Sequence, residues 1–236
     1  MIVTSHGATV VLVHGAWAEC ASWSEIIRPL EKENLAVVCA PLPLTTLSED
    51  VKALDRVLRR TEGPLILVAH AYAGAVIGAA QNDRVKALVY IAALAPDENE
   101  TVADVFYRDE PHPKAPKLAP DADGFIWMPD EGFEDAFAPD ASPAQLSILR
   151  ATQRPLALAC IKEPAPRPAW KSTPTWFLVA DEDHMINPKT QRFMAARMGA
   201  TVRECAVDHT PSITAPAVVL ETILEAFRAT IPPPPK

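Results

Sequence analysis

The sequence predicts an α/β fold: a mostly parallel, doubly wound sheet with an inserted helical cap. Three observations carry this. Short β-branched runs alternate with amphipathic helical stretches, as in a parallel sheet covered on both faces. The alternation stops near residue 96 and resumes near residue 171. The segment between is rich in Pro, Asp and aromatic residues, and it is too long for a simple connection.

The elements can be justified in order. Thr9–Val13 is a β-branched apolar run, as expected of a strand buried on both sides. Ser22–Asn34 carries Trp23, Ile26, Ile27 and Leu30 at helical spacing, and Leu35–Ala40 is the next strand, closed by Pro41 and Pro43. Leu47–Arg60 places Val51, Leu54, Val57 and Leu58 on one helical face. Pro64–Val68 reads as a strand, Tyr72–Gln81 as a helix of small residues, and Val85–Ala92 as a strand. Inside the insert two helical pieces stand out, near Thr101–Tyr107 and Ser142–Gln153, with no strand pattern. The alternation then returns with Thr175–Val179, the helix Pro188–Met198, the strand Thr201–Val207 and the helix Ala215–Thr230. These readings divide the chain into a core, 1–95 with 171–231, a helical cap insert at 96–170, and a proline-rich tail at 232–236 expected to be disordered.

Composition narrows the function. With 49% hydrophobic and 22% charged residues, a chain of this length can bury a sizeable core. The net charge of −8 argues against nucleic acid or an anionic membrane as partner. No apolar run approaches the ~20 residues a membrane span needs, and Met1–Thr9 carries no secretory pattern. Cys20, Cys39, Cys160 and Cys205 are scattered, without pairing or metal-ligand spacing. They read as reduced and mostly buried, which suits a cytoplasmic protein. The acid-rich stretch Asp121–Asp140 matches no calcium-loop spacing and reads as solvated cap surface. The expected partner is a small-molecule substrate or ligand, with a homodimer left open.

Chemistry-bearing residues gather at strand ends. His14-Gly15-Ala16-Trp17 follows the first strand, and Ala69-His70-Ala71-Tyr72-Ala73-Gly74 joins a buried strand to a helix. Asp181-Glu182-Asp183 follows the first strand beyond the insert, and His209 follows the last strand. In an open parallel sheet, loops at the carboxyl ends of the strands converge on one crevice.

On these residues, together with Val11–Val13, the run Leu67–Ile77, Glu182–Pro188 with Gln191, and Asp208–Pro211, the chain resembles the α/β-hydrolase superfamily over nearly its whole length. It looks most like bacterial esterase-like members related to plant methylesterases and hydroxynitrile lyases. The resemblance implies the α/β-hydrolase fold and no metal or organic cofactor. It places the nucleophile elbow at Ala71, where the family carries serine, with Ala69 and Ala73 where it usually carries glycine. It makes His209 the general base and Asp183 the carboxylate that orients it, with Asp181 or, less well, Glu182 as competitors. It assigns the oxyanion hole to the backbone N–H groups of Ala16 and Tyr72.

Trp17, His14 and Trp127 are candidate substrate contacts, although His14 and His70 also suit a structural role beneath the loops. Phe125, Phe133 and Phe137 either line an acyl pocket or pack the cap. Ser22, Thr210 and Ser212 are not at an elbow and do not replace the missing serine. Two functional expectations follow. One is an esterase-like protein acting on or binding a small apolar ester or carbonyl compound through a Ser(Ala71)-Asp-His type site. The other is a nucleophile-less member that binds a ligand, or uses His209 and Asp183 as a non-covalent general base in lyase-like chemistry.

Overall fold

The structure, a computed structural model, describes residues 7–232. The expected disorder at 233–236 and most of the N-terminal reading fall outside the described residues. The first half of the core runs β1 (Thr9–Val13), a 3₁₀ turn (Cys20–Trp23), α1 (Ser24–Lys32), β2 (Ala36–Ala40), α2 (Leu47–Leu58), β3 (Leu65–His70), α3 (Ala73–Ala79) and β4 (Val85–Ile91). The insert holds α4 (Val102–Phe106), β5 (Phe125–Ile126), α5 (Asp130–Gly132) running into a π turn (Phe133–Phe137), α6 (Pro143–Thr152), β6 (Leu156–Ala157) and α7 (Leu158–Lys162). The core resumes with β7 (Thr175–Ala180), α8 (Pro188–Met198), β8 (Thr201–Cys205), α9 (Pro211–Thr214) and α10 (Pro216–Thr230).

Six parallel strands form one sheet in the order β2-β1-β3-β4-β7-β8. Strand side chains alternate between its faces. Val10, Leu12, Ile66 and Val68 meet Ile26 and Leu30 of α1 and Val219 and Ile223 of α10. Val11, Val13, Leu67 and Ala69 turn the other way, toward Leu54 of α2, Val76 of α3 and Met194 of α8. Both faces are covered, so the central strands read as continuous apolar runs.

The topology positions the site. Chain continuing from β1 leads to β2 on one side, and chain continuing from β3 leads to β4 on the other. The two outgoing loops therefore part at the carboxyl edge and leave a crevice. Val13 pairs with Ala69, so both loops leave the sheet at the same level.

The insert agrees with expectation in one feature and departs from it in another. The two helices expected there, α4 and α6, are where the sequence puts them, each opened by a reciprocal capping box, Thr101 with Asp104 and Ser142 with Gln145, while α5, the π turn and α7 were not expected. The insert is not wholly helical, however: β5 and β6 pair antiparallel, Phe125 with Ala157 and Ile126 with Leu156. Strands of two residues are too short to show a period-two pattern, and the partners lie far apart in sequence.

α3 lies so close to the end of β4 that Gly74 has no room for a side chain. A Cβ there would sit 2.3 Å from the Leu94 carbonyl oxygen, with Ala93 Cβ and Tyr90 Cδ1 at 3.0 Å. Gly74→Ala is therefore expected to destabilise the fold by ~3 kcal/mol, the upper end of ordinary overpacking, because a backbone atom cannot rotate away. The thermal midpoint checks this; an unchanged value would mean that α3 slides freely.

Candidate active site

The elbow is built from β3, α3 and one strained residue between them. Ala71 has φ of +50°, in the left-handed region that disfavours any side chain. Its surroundings hold it there. Its N–H donates to the Ile91 carbonyl at 3.3 Å, and its own carbonyl accepts from Gly74 N at 3.1 Å and Leu94 N at 2.9 Å. Ala69 and Ala73 are fully buried, so both flanks are filled by methyl groups. The loop after β1 packs directly on the elbow. A Cβ at Gly15 would be 3.0 Å from both Ala71 Cβ and the His70 carbonyl oxygen.

That loop is pinned at Trp17, also at positive φ, +56°. Trp17 N donates to the Arg154 carbonyl at 3.1 Å, and its indole Nε1 donates to the Ile126 carbonyl at 2.9 Å, so the cap fixes the loop. The N–H groups of Ala16 and Tyr72 donate to no acceptor among the described residues, and both residues line the same cavity.

His209 and Asp183 meet from two other strand ends. Backbone bonds continue beyond β7 and β8, Asp181 N to the Cys205 carbonyl at 2.8 Å and Glu182 N to the Val207 carbonyl at 3.1 Å. Beyond them the His209 Nδ1–H donates to Asp183 Oδ2 at 2.8 Å, both residues being buried. The same carboxylate accepts from Met185 N at 2.7 Å, Ile186 N at 2.9 Å and Gln191 Nε2 at 2.8 Å. Four donors leave Asp183 little freedom to rotate. Because Nδ1 carries the hydrogen, Nε2 of the neutral ring is an acceptor. Asp181 and Glu182 are exposed instead, and Asp181 pairs with Arg192.

The supporting shell is largely polar and buried. His70 Nε2–H donates to the His209 carbonyl at 2.7 Å, and burial holds its pKa down to about 3. Asp208 accepts from Thr210 N, the Thr214 hydroxyl and Asp140 N of the insert, fixing the loop that carries His209. His14 does not reach the cavity, which corrects its reading as a substrate contact. Its Nε2 accepts from Leu42 N at 3.0 Å and its Nδ1–H donates to the Gly15 carbonyl at 2.9 Å. With burial lowering its pKa to about 4, His14 is a neutral brace between two loops.

Trp127 is likewise not a cavity residue: it is 50% exposed and donates to Asp121 Oδ2 at 3.0 Å. Its place on the rim follows from the short β5–β6 pairing, which turns Ile126 inward. Phe125, Phe133 and Phe137 do not line the cavity either. Phe137 packs edge-on against His209, with ring centroids 5.3 Å apart, so it buttresses the imidazole.

A pocket partly open to solvent lies above Ala71 and His209, with about 580 Å³ of empty space when its open mouth is included. Its wall is Ala16, Trp17, Tyr72, Leu94, Met185 and Ile186 from the core, with Val102, Phe106, Tyr107, Leu118, Ile126 and Ile161 among the insert residues. None of these lining residues carries a charged side chain. His209 and the two free amides are among the polar groups at this wall.

One buried carboxylate went unread in the sequence. Asp50 of α2 accepts from the Tyr72 hydroxyl at 2.7 Å and from Leu44 N at 2.7 Å, with the Cys160 thiol at 3.8 Å. It ties the residue after Ala71 to the β2–α2 loop and to α7. Its signal was present: Asp50 lies three residues after Leu47 and four before Leu54, on the stripe that faces the core. Burial pushes its pKa up to about 6, against its partners' hydrogen bonds.

A folded-state pKa above the unfolded value means that the native state binds the extra proton. Stability from Asp50 is therefore full below the unfolded pKa and is lost as pH rises toward 6. His14 and His70, held below their ordinary value, act oppositely and lose stability as pH falls below about 6.5. Asp50→Asn keeps an acceptor for Leu44 N and removes only the first effect. Between pH 5 and 7 the variant should gain stability relative to the parent by roughly 1–3 kcal/mol, read by chemical denaturation at each pH. A pH-independent difference would remove Asp50 from the titration.

Among the described residues, no group of three or more His, Cys, Asp or Glu side chains could hold a metal ion, and no helix is long and apolar enough to cross a membrane.

Comparisons with known proteins agree with this architecture. No curated protein sequence matches the chain. Among solved structures, a serine-to-alanine variant of a pyrethroid hydrolase superposes with a TM-score of 0.80 at 22% identity, covering 94% of this chain and 97% of that one. An extracellular α/β-hydrolase from a Paenibacillus species, described as sharing structural and functional homology with a tobacco salicylic acid binding protein, gives 0.77 at 23% identity, with 94% and 99% covered. A polyneuridine aldehyde esterase variant gives 0.78 at 17% identity, with 92% and 98% covered. At these identities the likeness is one of fold. A family model described as the alpha/beta hydrolase family matches residues 10–222.

Proposed function

The chain belongs to the alpha/beta hydrolase family, and from that premise we propose that it is an esterase-like member whose cavity takes a small, neutral, largely apolar ester or carbonyl compound. The observation that carries the proposal is the pairing of an uncharged wall with three polar groups. Those groups are His209, held by Asp183, and the unpaired amides of Ala16 and Tyr72. A carbonyl oxygen directed at the two amides leaves its carbon facing Ala71 and His209. Charge developing on that oxygen is then stabilised by preorganised N–H donors.

With alanine at 71 there is no side chain to form an acyl-enzyme. In this reading the chain binds its ligand and offers His209 Nε2 as a general base. The base removes a proton from a bound water or from carbon next to the carbonyl, while Asp183 stabilises the imidazolium that forms. The elbow itself supports descent from the serine-dependent reading: Ala71 keeps the strained φ that presents a nucleophile, at a cost a simple turn would relax.

Calorimetric titration with short-chain methyl esters and ketones, against carboxylates and quaternary ammonium ions of equal size, tests the ligand class. Neutral compounds should bind, and charged ones should bind at least ~10-fold more weakly, since no wall charge offsets their desolvation. Preferential binding of the charged set would refute the proposal.

A further inference from the structure

Two of the four cysteines are neighbours. Cys20 opens the 3₁₀ turn that follows the Ala16–Trp17 loop, and Cys39 lies on β2, paired with Leu12 of β1. The parallel β1–β2 pairing and the returning turn bring them together across nineteen positions of sequence. Cys39 Sγ is 4.0 Å from the Cys20 carbonyl oxygen, toward which its thiol is directed. Both are free and only half-buried, whereas Cys160 is buried. The expectation of mostly buried cysteines is thus corrected, while all four are free as expected. Nothing in the site described above uses this pair.

We propose that Cys20 and Cys39 are a modification site: a dithiol that a hydroperoxide converts to a reversible intramolecular disulfide.

The two sulfurs have different roles. The hydrogen bond from Cys39 comes first among the causes that hold the Cys20 thiol below its ordinary range, and the Arg154 guanidinium adds to it. Burial and the Glu19 carboxylate oppose them. The same hydrogen bond, with burial, pushes Cys39 well above the ordinary range. Of the two, Cys20 is the more easily ionised, so it is assigned the attack on the peroxide and Cys39 the resolving step. In the first step the Cys20 sulfur attacks the peroxide; a S–O bond forms, the O–O bond breaks, and the leaving alkoxide takes up the proton Cys20 released. Cys20 is now a sulfenic acid. In the second step the Cys39 sulfur attacks it; the S–S bond forms, the S–O bond breaks, and the leaving hydroxide takes the Cys39 proton as water. Two thiols are oxidised by two electrons, and one hydroperoxide is reduced to an alcohol and water.

The bond would tie the segment after the Ala16–Trp17 loop to β2, an edge strand of the sheet. Little rearrangement is asked of it, because Cys39 Sγ already lies against the Cys20 backbone.

The test uses the full chain, treated with equimolar hydrogen peroxide and then unfolded in an alkylating reagent. Two of the four thiols should be lost, the intact mass should fall by two hydrogens, and the peptide map should join Cys20 to Cys39. Dithiothreitol should restore all of them. In Cys39→Ser, Cys20 should stop at the sulfenic acid and be captured by dimedone; Cys39→Ala serves equally if the serine variant fails to fold. Retention of every thiol, further oxidation of Cys20 without a cross-link, or a bond joining any other pair or two chains overturns the proposal. The parent map decides the matter even if both variants are lost.

Discussion

Ala71→Ser is expected to convert the chain into an enzyme that hydrolyses short p-nitrophenyl esters, with a rate at least ~10³-fold above the alanine form. The magnitude follows from triads in which removing the serine lowers kcat by about 10⁶, discounted because Ala69 and Ala73 replace the more usual glycines. The residue already has the backbone conformation a nucleophile needs, at φ +50°, and its side chain faces the cavity it shares with His209. A serine Oγ would replace a Cβ hydrogen without new backbone strain. Stopped-flow measurement should show a burst from acyl-enzyme formation, and His209→Ala in the serine background should abolish it. A serine form no faster than the alanine form would mean that base and elbow are misaligned. The covalent ancestry proposed for the site would then be withdrawn.

Asp183→Asn in that serine background should lower kcat by ~10⁴-fold with little change in KM. Asp183 Oδ2 accepts from two donors, His209 Nδ1 and Gln191 Nε2. An amide nitrogen in that place would confront both with a third donor. The imidazole would then invert its tautomer or rotate, and Nε2 would no longer face the nucleophile as an acceptor. If the amide oxygen takes that place instead, its nitrogen meets the donors Met185 N and Ile186 N. Either way buried donors are left unpaired, so ~1–3 kcal/mol of stability should also be lost. Paired readouts, burst kinetics and a thermal melt, separate loss of orientation from loss of fold. An active, normally stable Asn variant would remove Asp183 from its proposed role.

Much of this site was legible in the sequence because it lies where strands end. The strand readings differed from the structure by a residue or two, as in β3, which runs on through Ala69 and His70 to the elbow. Ala71 could be read as the elbow through the resemblance to the α/β-hydrolase superfamily, whereas the close approaches at Gly15 and Gly74 emerge only from the structure. Asp183 and His209 were candidates by position, but their contact spans 26 residues and depends on the β7–β8 register, Ala180 against Cys205. No local pattern records that distance.

The sequence by itself determined the alternation of strands and helices and the absence of a side-chain nucleophile at position 71. These depend on periodicity, composition and a single residue identity. Only the tertiary structure decided which histidines face the cavity: His209 does, while His14 and His70 are satisfied beneath it. It also decided that Asp50 is a buried link to Tyr72, that Trp127 stays on the rim, and that Cys20 meets Cys39. The reason is common to all three. A side chain's partners are set by strand order and loop closure across tens of residues, whereas its intrinsic propensity acts only within a turn or two of its own position.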